Sequence, residues 1–85
     1  MEIRFSAKFQ KQYSKTSAKI KKAFDKRLVL FRKDPANPLL RDHRLSGTHR
    51  NYKSINITGD WRALYSQEED TITFEMIGTH SQLYK

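Results

Sequence analysis

The sequence contains no cysteine, three glycines and two prolines among its 85 residues. The absence of cysteine excludes disulfide bonds, thiolate nucleophiles and thiolate zinc sites, and it suits a reducing compartment. Three glycines can hardly build a glycine-rich phosphate loop. No apolar run approaches the roughly 20 residues of a membrane span, and the opening MEIRFSAKFQKQ lacks the apolar stretch of a secretory leader. We therefore expect a cytoplasmic protein that does not enter a membrane.

Acidic residues are scarce in the first part of the chain. Residues 1–34 hold 11 Lys and Arg against 3 Asp and Glu, whereas residues 35–85 hold 6 of each sign. A one-sided basic surface attracts polyanions and speeds their capture. Nucleic acid, or an acidic protein that competes for the same surface, is the expected partner. The solvated face of an ordinary helix would give the same pattern, so charge alone leaves both interpretations open.

The first 33 residues predict a short strand and two helices. Glu2–Phe5 suits a strand, and Ser6 and Ser17 each stand where a hydroxyl could cap the helix that follows. The second helix is predicted over Ala18–Lys33, where apolar residues recur at helical spacing. These apolar residues are Ile20, Ala23, Phe24, Leu28 and Phe31.

The second half predicts an antiparallel sheet. After the proline-containing DPANPLL, the segments NYKSINI, WRALYS and TITFEMI are rich in β-branched and aromatic residues and are separated by turn residues. Alternation predicts that one sheet face packs on the helices and the other stays open. The residues expected to face the helices are Ile55, Ile57, Ile72, Phe74 and Met76. The predicted fold is α+β, one domain over residues 1–85 with two N-terminal helices on one face of a small antiparallel sheet.

Residues able to carry chemistry are scattered along the second half. Three histidines lack the helical spacing of zinc hydrolases, so we expect no metal site. His49, beside Arg50, is interpreted as exposed and is assigned no role. Asp60 opens a predicted strand, and a meander would bring it near the segment after Ile77. The full set of candidates is His43, Asp60, Trp61, Arg62, His80 and Tyr84.

Three segments, RDHRLSG, ITGDWRALYS and IGTHSQLY, together resemble the RelE/ParE superfamily of bacterial toxins, and especially its YafQ-like branch. The resemblance covers nearly the whole chain. It implies a RelE-like fold and a ribosome-dependent endoribonuclease that cuts mRNA without a cofactor and inhibits translation. It also implies neutralisation by a cognate antitoxin protein, with a toxin that is monomeric alone and can join a larger complex with its antitoxin.

The resemblance assigns roles to individual positions. His43 matches the loop histidine, Asp60 the acidic residue and His80 the C-terminal histidine of the family pattern. Arg62 resembles an arginine of another subgroup, which contacts the scissile phosphate. Asn56 departs from the pattern, since YafQ-like members often have a histidine there and an amide cannot shuttle a proton near neutral pH.

RNA cleavage without a metal requires a base, an acid and stabilisation of charge on the phosphate oxygens. His43 or Asp60 is the predicted base that activates the 2′-hydroxyl. His80 is the predicted acid that protonates the departing 5′-oxygen, and Arg62 is expected to neutralise the phosphate. All four residues are therefore candidate catalytic groups.

Aromatic and basic residues are predicted to bind the RNA. Trp61 and Tyr84 could stack on unstacked bases. The residues expected to hold the RNA backbone are Lys19, Lys22, Lys26 and Arg44.

Several candidates also have a purely structural interpretation. Asp60 suits a turn, Trp61 suits core packing, and Tyr84 could act as a hydrophobic clip. Arg62 could pair with Glu75 across the sheet instead of binding phosphate. Two other functions also remain open: a non-enzymatic ParE-like toxin that poisons DNA gyrase, and an inactive basic nucleic-acid-binding relative.

Overall fold

The structure is a computed structural model that describes residues 1–84, and Lys85 lies outside the described residues. The elements in chain order are β1 Glu2–Phe5, α1 Ala7–Ser14, α2 Ala18–Lys33, β2 His43–Arg44, β3 Lys53–Asn56, β4 Trp61–Glu68, β5 Thr71–Thr79 and α3 His80–Leu83. Single 3₁₀ turns at Pro38–Leu40 and Gly47–His49 flank β2. Within the described part of the chain, no helix has the length and apolar character needed to cross a bilayer.

The five strands form one sheet in the order β1-β5-β4-β3-β2. The predicted meander of β3, β4 and β5 is confirmed, and its strands are antiparallel. The β1 strand was predicted, but it joins the sheet parallel to β5, so the sheet is mixed. The α+β class is confirmed.

The two N-terminal helices begin at the predicted caps. The Phe9 N–H donates to Ser6 Oγ at 3.0 Å, and the Ile20 N–H donates to Ser17 Oγ at 3.2 Å. Each bond satisfies an amide that has no partner inside its own helix. The caps therefore determine where α1 and α2 begin, and the apolar spacing determines which side of each faces the sheet.

The core lies between the helices and one face of the sheet. A cluster of aromatic rings forms its centre, with the Phe9 and Phe24 centroids 5.2 Å apart and those of Phe24 and Phe74 5.4 Å apart. Ile55 in β3 and Ile57 just after it face the same core, as predicted. The helices thus cover one sheet face, and the opposite one is called the outer face below.

The prediction that Met76 faces the helices is wrong. Leu64 pairs with Met76 but Tyr65 pairs with Phe74, so Glu75 is an extra residue in β5. Such a bulge reverses the alternation of side chains beyond it. Ile77 therefore enters the core, where it is 3% exposed, and Met76 is half-buried on the outer face.

The outer face is also less open than predicted, because α3 folds back over it. A Cβ atom added to Gly78 would lie 3.0 Å from Gln82 Oε1 and 3.3 Å from the Leu83 side chain. The absence of a side chain at Gly78 therefore lets α3 lie against the strand it follows. The polar residues of the outer face are left beside this short helix.

Candidate active site

Three candidate or family-pattern positions share the outer face by strand register. Asn56 on β3 pairs with Arg62 on β4, and His43 on β2 pairs with Ser54 on β3. Directly opposed residues point to the same side of a sheet. Ile55 points into the helix-side core, so Ser54 and Asn56, its neighbours along β3, point outward. His43, Asn56 and Arg62 therefore lie on the same face.

The His43 ring is held by one of its two nitrogens. Its Nδ1 lies 2.8 Å from the Arg41 carbonyl oxygen. A carbonyl can only accept, so Nδ1 is the donor and carries the proton. In the neutral ring Nε2 is then the nitrogen with the lone pair, on an exposed side chain. This arrangement suits a general base.

Asp60 and His80 come together through their backbones, which confirms that the start of β4 and the segment after Ile77 meet. Trp61 pairs with Thr79, and the His80 N–H donates to the Asp60 carbonyl oxygen at 2.9 Å. Both side chains are exposed at the same end of the sheet. The carboxylate and the imidazole are therefore accessible to a substrate lying across this end.

Arg62 closes the turn that carries Asp60. Its Nη1 donates to the carbonyl oxygens of Thr58 and Trp61, each at 3.0 Å, and of Gly59 at 3.2 Å. The Nε and Nη2 groups carry three more N–H donors. The alternative pairing with Glu75 is wrong, because Glu75 accepts instead from Ser66 Oγ at 2.8 Å.

Tyr84 links the C-terminal segment to the sheet. Its hydroxyl donates to Ser54 Oγ at 3.1 Å, and its ring meets the His80 ring edge-on with centroids 4.6 Å apart. Ser54 is 0% exposed, so this bond gives a hydrogen-bond partner to a fully buried hydroxyl. Tyr84 therefore connects His80 to Ser54, the residue that lies opposite His43 on the outer face.

The interpretation of His49 as exposed is wrong. His49 is half-buried, and its Nε2 lies 2.7 Å from the Leu83 carbonyl oxygen. Its ring centroid is 6.0 Å from that of Tyr52 and 6.2 Å from that of Tyr84. A pairing across 34 positions leaves no periodic trace in the sequence, which is why sequence reasoning missed it.

Trp61 lies on the helix side of the sheet. It is half-buried and packs against the core, near Gln12 and Thr16 at the end of α1. This placement favours the packing interpretation. Stacking of Trp61 on RNA stays a prediction.

The predicted backbone-binding cations are not gathered on the outer face. Lys19, Lys22 and Lys26 are exposed on α2, whose residues Ile20 and Phe24 face the sheet. Their spacing of three and four residues places them along one stripe of that helix.

Arg44 also points away from the outer face. It lies opposite Lys53, next to the outward-pointing pair of His43 and Ser54. It lines a polar cavity of about 380 Å³ together with Arg50 and Lys53. Its predicted role in RNA binding therefore belongs to a surface separate from the candidate catalytic groups.

Asp42 and Tyr65 anchor the loop that carries His43, and sequence reasoning missed this pair. The Tyr65 hydroxyl donates to Asp42 Oδ2. Burial, together with this hydrogen bond and the charge of the Asp42 carboxylate, raises the pKa of Tyr65 well above its ordinary value of 10.0. In the sequence, Tyr65 lies in a predicted strand and Asp42 lies in a predicted loop. Their pairing therefore became visible only in the folded structure.

A family model and a curated relative identify the family of this chain. The family described as "Bacterial toxin of type II toxin-antitoxin system, YafQ" matches residues 1–85. The mRNA interferase toxin YafQ of Escherichia coli strain K12 is 30% identical over 50 residues, which cover 59% of this chain and 54% of that protein. The chain thus matches about half the length of this curated relative.

Solved structures share the fold. The crystal structure of YafQ from E. coli strain BL21(DE3) has a TM-score of 0.84 at 20% identity, covering 99% of this chain and 98% of that one. The toxin in the E. coli DinJ-YafQ toxin-antitoxin complex has a TM-score of 0.73 at 22% identity, covering 99% and 97%. A YoeB/ParE toxin from Agrobacterium tumefaciens has a TM-score of 0.74 at 18% identity, covering 94% and 99%. Because the family model matches residues 1–85, this chain belongs to the YafQ family of type II toxin–antitoxin toxins.

Proposed function

We propose that this protein is an endoribonuclease toxin that cleaves mRNA on the ribosome in the cytoplasm, with residues 1–85 as one toxin domain. The most direct support is that the start of β4 lies next to α3. The His80 N–H donates to the Asp60 carbonyl oxygen there. This contact brings a carboxylate and an imidazole to the sheet end that also carries Arg62. The name of the E. coli relative, an mRNA interferase toxin, supports the same activity.

The proposed reaction is an internal transfer within the RNA. The 2′-oxygen attacks the adjacent phosphorus, a base removes the 2′ proton, and the bond from phosphorus to the 5′-oxygen breaks. The products are a 2′,3′-cyclic phosphate and a 5′-hydroxyl, which takes its proton from the acid. Because the nucleophile is part of the substrate, the protein has to orient the linkage and move two protons.

The proposed base is His43. Its Nδ1 bond to the Arg41 carbonyl oxygen leaves Nε2 as the accepting nitrogen of the neutral ring. Asp60 is the other candidate, with an exposed carboxylate on the turn that Arg62 closes. The variants Asp60→Asn and His43→Gln separate the two candidates. Only the variant that lacks the base should lose the rise of the cleavage rate with pH.

His80 is the proposed acid, on the first residue of α3. Arg62 is proposed to bind the scissile phosphate through the N–H groups of Nε and Nη2 while Nη1 holds the turn. Tyr84, whose ring already meets His80 edge-on, is proposed to stack on a base and align the linkage. The proposed base on β2 and the groups at the β4 start are thereby assigned the two proton transfers and the neutralisation of charge.

A cognate antitoxin is the proposed regulatory partner. The E. coli DinJ-YafQ complexes show a toxin of this fold with its antitoxin. This chain carries a net charge of +8, so its own antitoxin is expected to bring an acidic segment to the basic surface. Binding that covers His80 and Arg62 would switch the activity off.

Transcript mapping after induction in a sensitive bacterium tests the proposed function. We expect translation to stop and new RNA ends to appear within translated reading frames. His80→Ala should lower the cleavage rate about 10²–10⁴-fold while ribosome binding stays near wild type, because the variant lacks the acid and keeps the cationic surfaces. Asn56→His, which places an imidazole opposite Arg62, should raise the rate by up to about 10²-fold.

Thr48→Ala serves as the matched control, since Thr48 is exposed and belongs to the same turn as His49. DNA damage with translation initially intact would replace the proposal by gyrase poisoning. Unchanged cleavage by His80→Ala would remove His80 from the mechanism.

A further inference from the structure

The C-terminal segment that carries His80 and Tyr84 depends on other parts of the chain for its position. The α3 helix has four residues, far below the about 12–15 at which an isolated helix becomes even marginally stable in water. A capping box between Thr79 and Gln82 supports its start. Its other end carries backbone carbonyls that lack helical partners.

His49 supplies the partner at that other end. The Leu83 carbonyl oxygen lies 2.7 Å from His49 Nε2, and a carbonyl can only accept, so Nε2 carries the hydrogen. The Leu83 side chain is 7% exposed, so the bond lies at the edge of a packed region. The His49 ring is also half-buried next to the rings of Tyr52 and Tyr84, so it is less accessible to a substrate than the exposed His43.

Tyr84, the next residue, is bound to the sheet independently. Its hydroxyl donates to the fully buried Ser54 Oγ, and its ring lies against the rings of both His49 and His80. Two hydrogen bonds from separate elements thus hold successive residues just beyond His80. Any shift of the Leu83 carbonyl would move Tyr84 and the His80 ring that contacts it.

We infer that His49 is a positioning residue for the cleavage reaction, acting through the Leu83 carbonyl to hold the segment from His80 to Tyr84 against the outer face. The inference rests on the proposed function for its catalytic consequence. Among the described residues, His49 has no hydrogen bond to the proposed base His43 or to Arg62, and its contacts to α3 and its cap are with Leu83 and Tyr84. Misplacement of a reacting group by about 1 Å can cost on the order of 10²-fold in rate.

Two substitutions of His49 separate its hydrogen bond from its bulk. His49→Gln keeps a side-chain N–H donor for the Leu83 carbonyl, whereas His49→Leu fills space without a donor. With purified protein and mRNA-programmed bacterial ribosomes, His49→Leu should lower the maximal single-turnover cleavage rate about 10- to 100-fold with KM within about 2-fold of wild type. His49→Gln should recover the rate to within about 3-fold of wild type.

Amide hydrogen exchange gives a readout that does not require cleavage. The Tyr84 N–H donates to the His80 carbonyl oxygen, and its protection should fall in His49→Leu and stay near wild type in His49→Gln and in the control Thr48→Ala. If His49→Leu does not fold, His49→Gln and the milder His49→Asn carry the comparison. Equal exchange and equal rates in the donor and non-donor variants, or a change in KM alone, would overturn the inference. A wild-type protein that fails to cut mRNA would overturn the proposed function, and the exchange comparison would still decide the role of His49 in holding α3.

Discussion

His43 and His49 show how much of a histidine's chemistry depends on which nitrogen is engaged. His43 binds a carbonyl through Nδ1 and keeps Nε2 for a proton, whereas His49 binds a carbonyl through Nε2. Both lie in a segment without clear periodicity, and only the resemblance to the toxin family singled out His43. The exposed side chain of His43 supports its proposed role as the base, whereas the half-buried ring of His49 and its bond to Leu83 support its proposed role as a positioning residue.

At the same scale, Tyr65 predicts how stability depends on pH. Its pKa is raised above the ordinary value of 10.0, first by burial and then by Asp42. The folded protein therefore holds a phenol proton that the unfolded chain releases above about pH 10. The stabilisation is fully present below that pH, and the free energy of unfolding falls as the pH rises above it.

Tyr65→Phe should reduce this alkaline fall and lower the free energy of unfolding at pH 7 by about 1–3 kcal/mol, because the Asp42 carboxylate loses its donor. Urea unfolding at pH 7 and at several values above pH 10 measures both effects. Some alkaline fall should remain, since burial and the bond to Asp25 raise the pKa of Tyr13 as well. An alkaline slope identical to wild type would contradict the assignment to Tyr65.

At the scale of elements, sequence signals that act over a few residues predicted the helices but not the contacts between distant parts of the chain. Capping serines and apolar spacing predicted α1 and α2, since both features act within a few residues. The parallel pairing of β1 with β5 depends on residues at opposite ends of the chain. The bulge at Glu75 and the four-residue α3 carry no periodic pattern, and together they account for the wrong placement of Met76 and the unexpected cover on the outer face.

Gly78 connects β5 to the helix that folds over it, and a larger residue there should displace α3. Gly78→Val should lower the free energy of unfolding by about 1–3 kcal/mol, because its side chain would meet Gln82 and Leu83. It should also reduce the exchange protection of the Tyr84 amide. Gly59→Ala is the matched control, since a Cβ there meets nothing within 4 Å. Stabilities within about 0.5 kcal/mol of each other would show that α3 accommodates the added atoms.

For the whole molecule, the exposed lysines of α2 lie on a different side of the sheet from the candidate active site. The Lys19, Lys22 and Lys26 stripe belongs to the helical layer, whereas His43 and Arg62 lie across the sheet on the outer face. Net charge predicted a polyanionic partner from composition. The separation became visible only once the two layers were known, and under the proposed function it places RNA binding by these lysines and RNA cleavage on different surfaces.

Replacing Lys19, Lys22 and Lys26 together by Gln tests this separation while preserving helix propensity. Each lost phosphate contact should reduce the slope of log affinity against log salt concentration by about 0.7–0.9, or about 2–3 for the triple variant. Ribosome binding measured between 50 and roughly 200 mM salt gives the slope. His80→Ala should keep the wild-type slope because it retains all three lysines. A slope unchanged by the triple variant would place the RNA-binding cations elsewhere.

The position of β5 between β1 and β4 has a consequence for how the protein is made. Ser6, at the start of α1, donates to the Glu75 carbonyl 69 positions later in the chain. At about 5–20 residues per second, a ribosome needs roughly 3 to 14 s to synthesise that interval. During this time the N-terminal layer has no central strand to pack on, and His80 has not yet been incorporated. The central strand of the sheet and the proposed acid His80 are therefore synthesised one directly after the other, and the proposed active site cannot form before both are made.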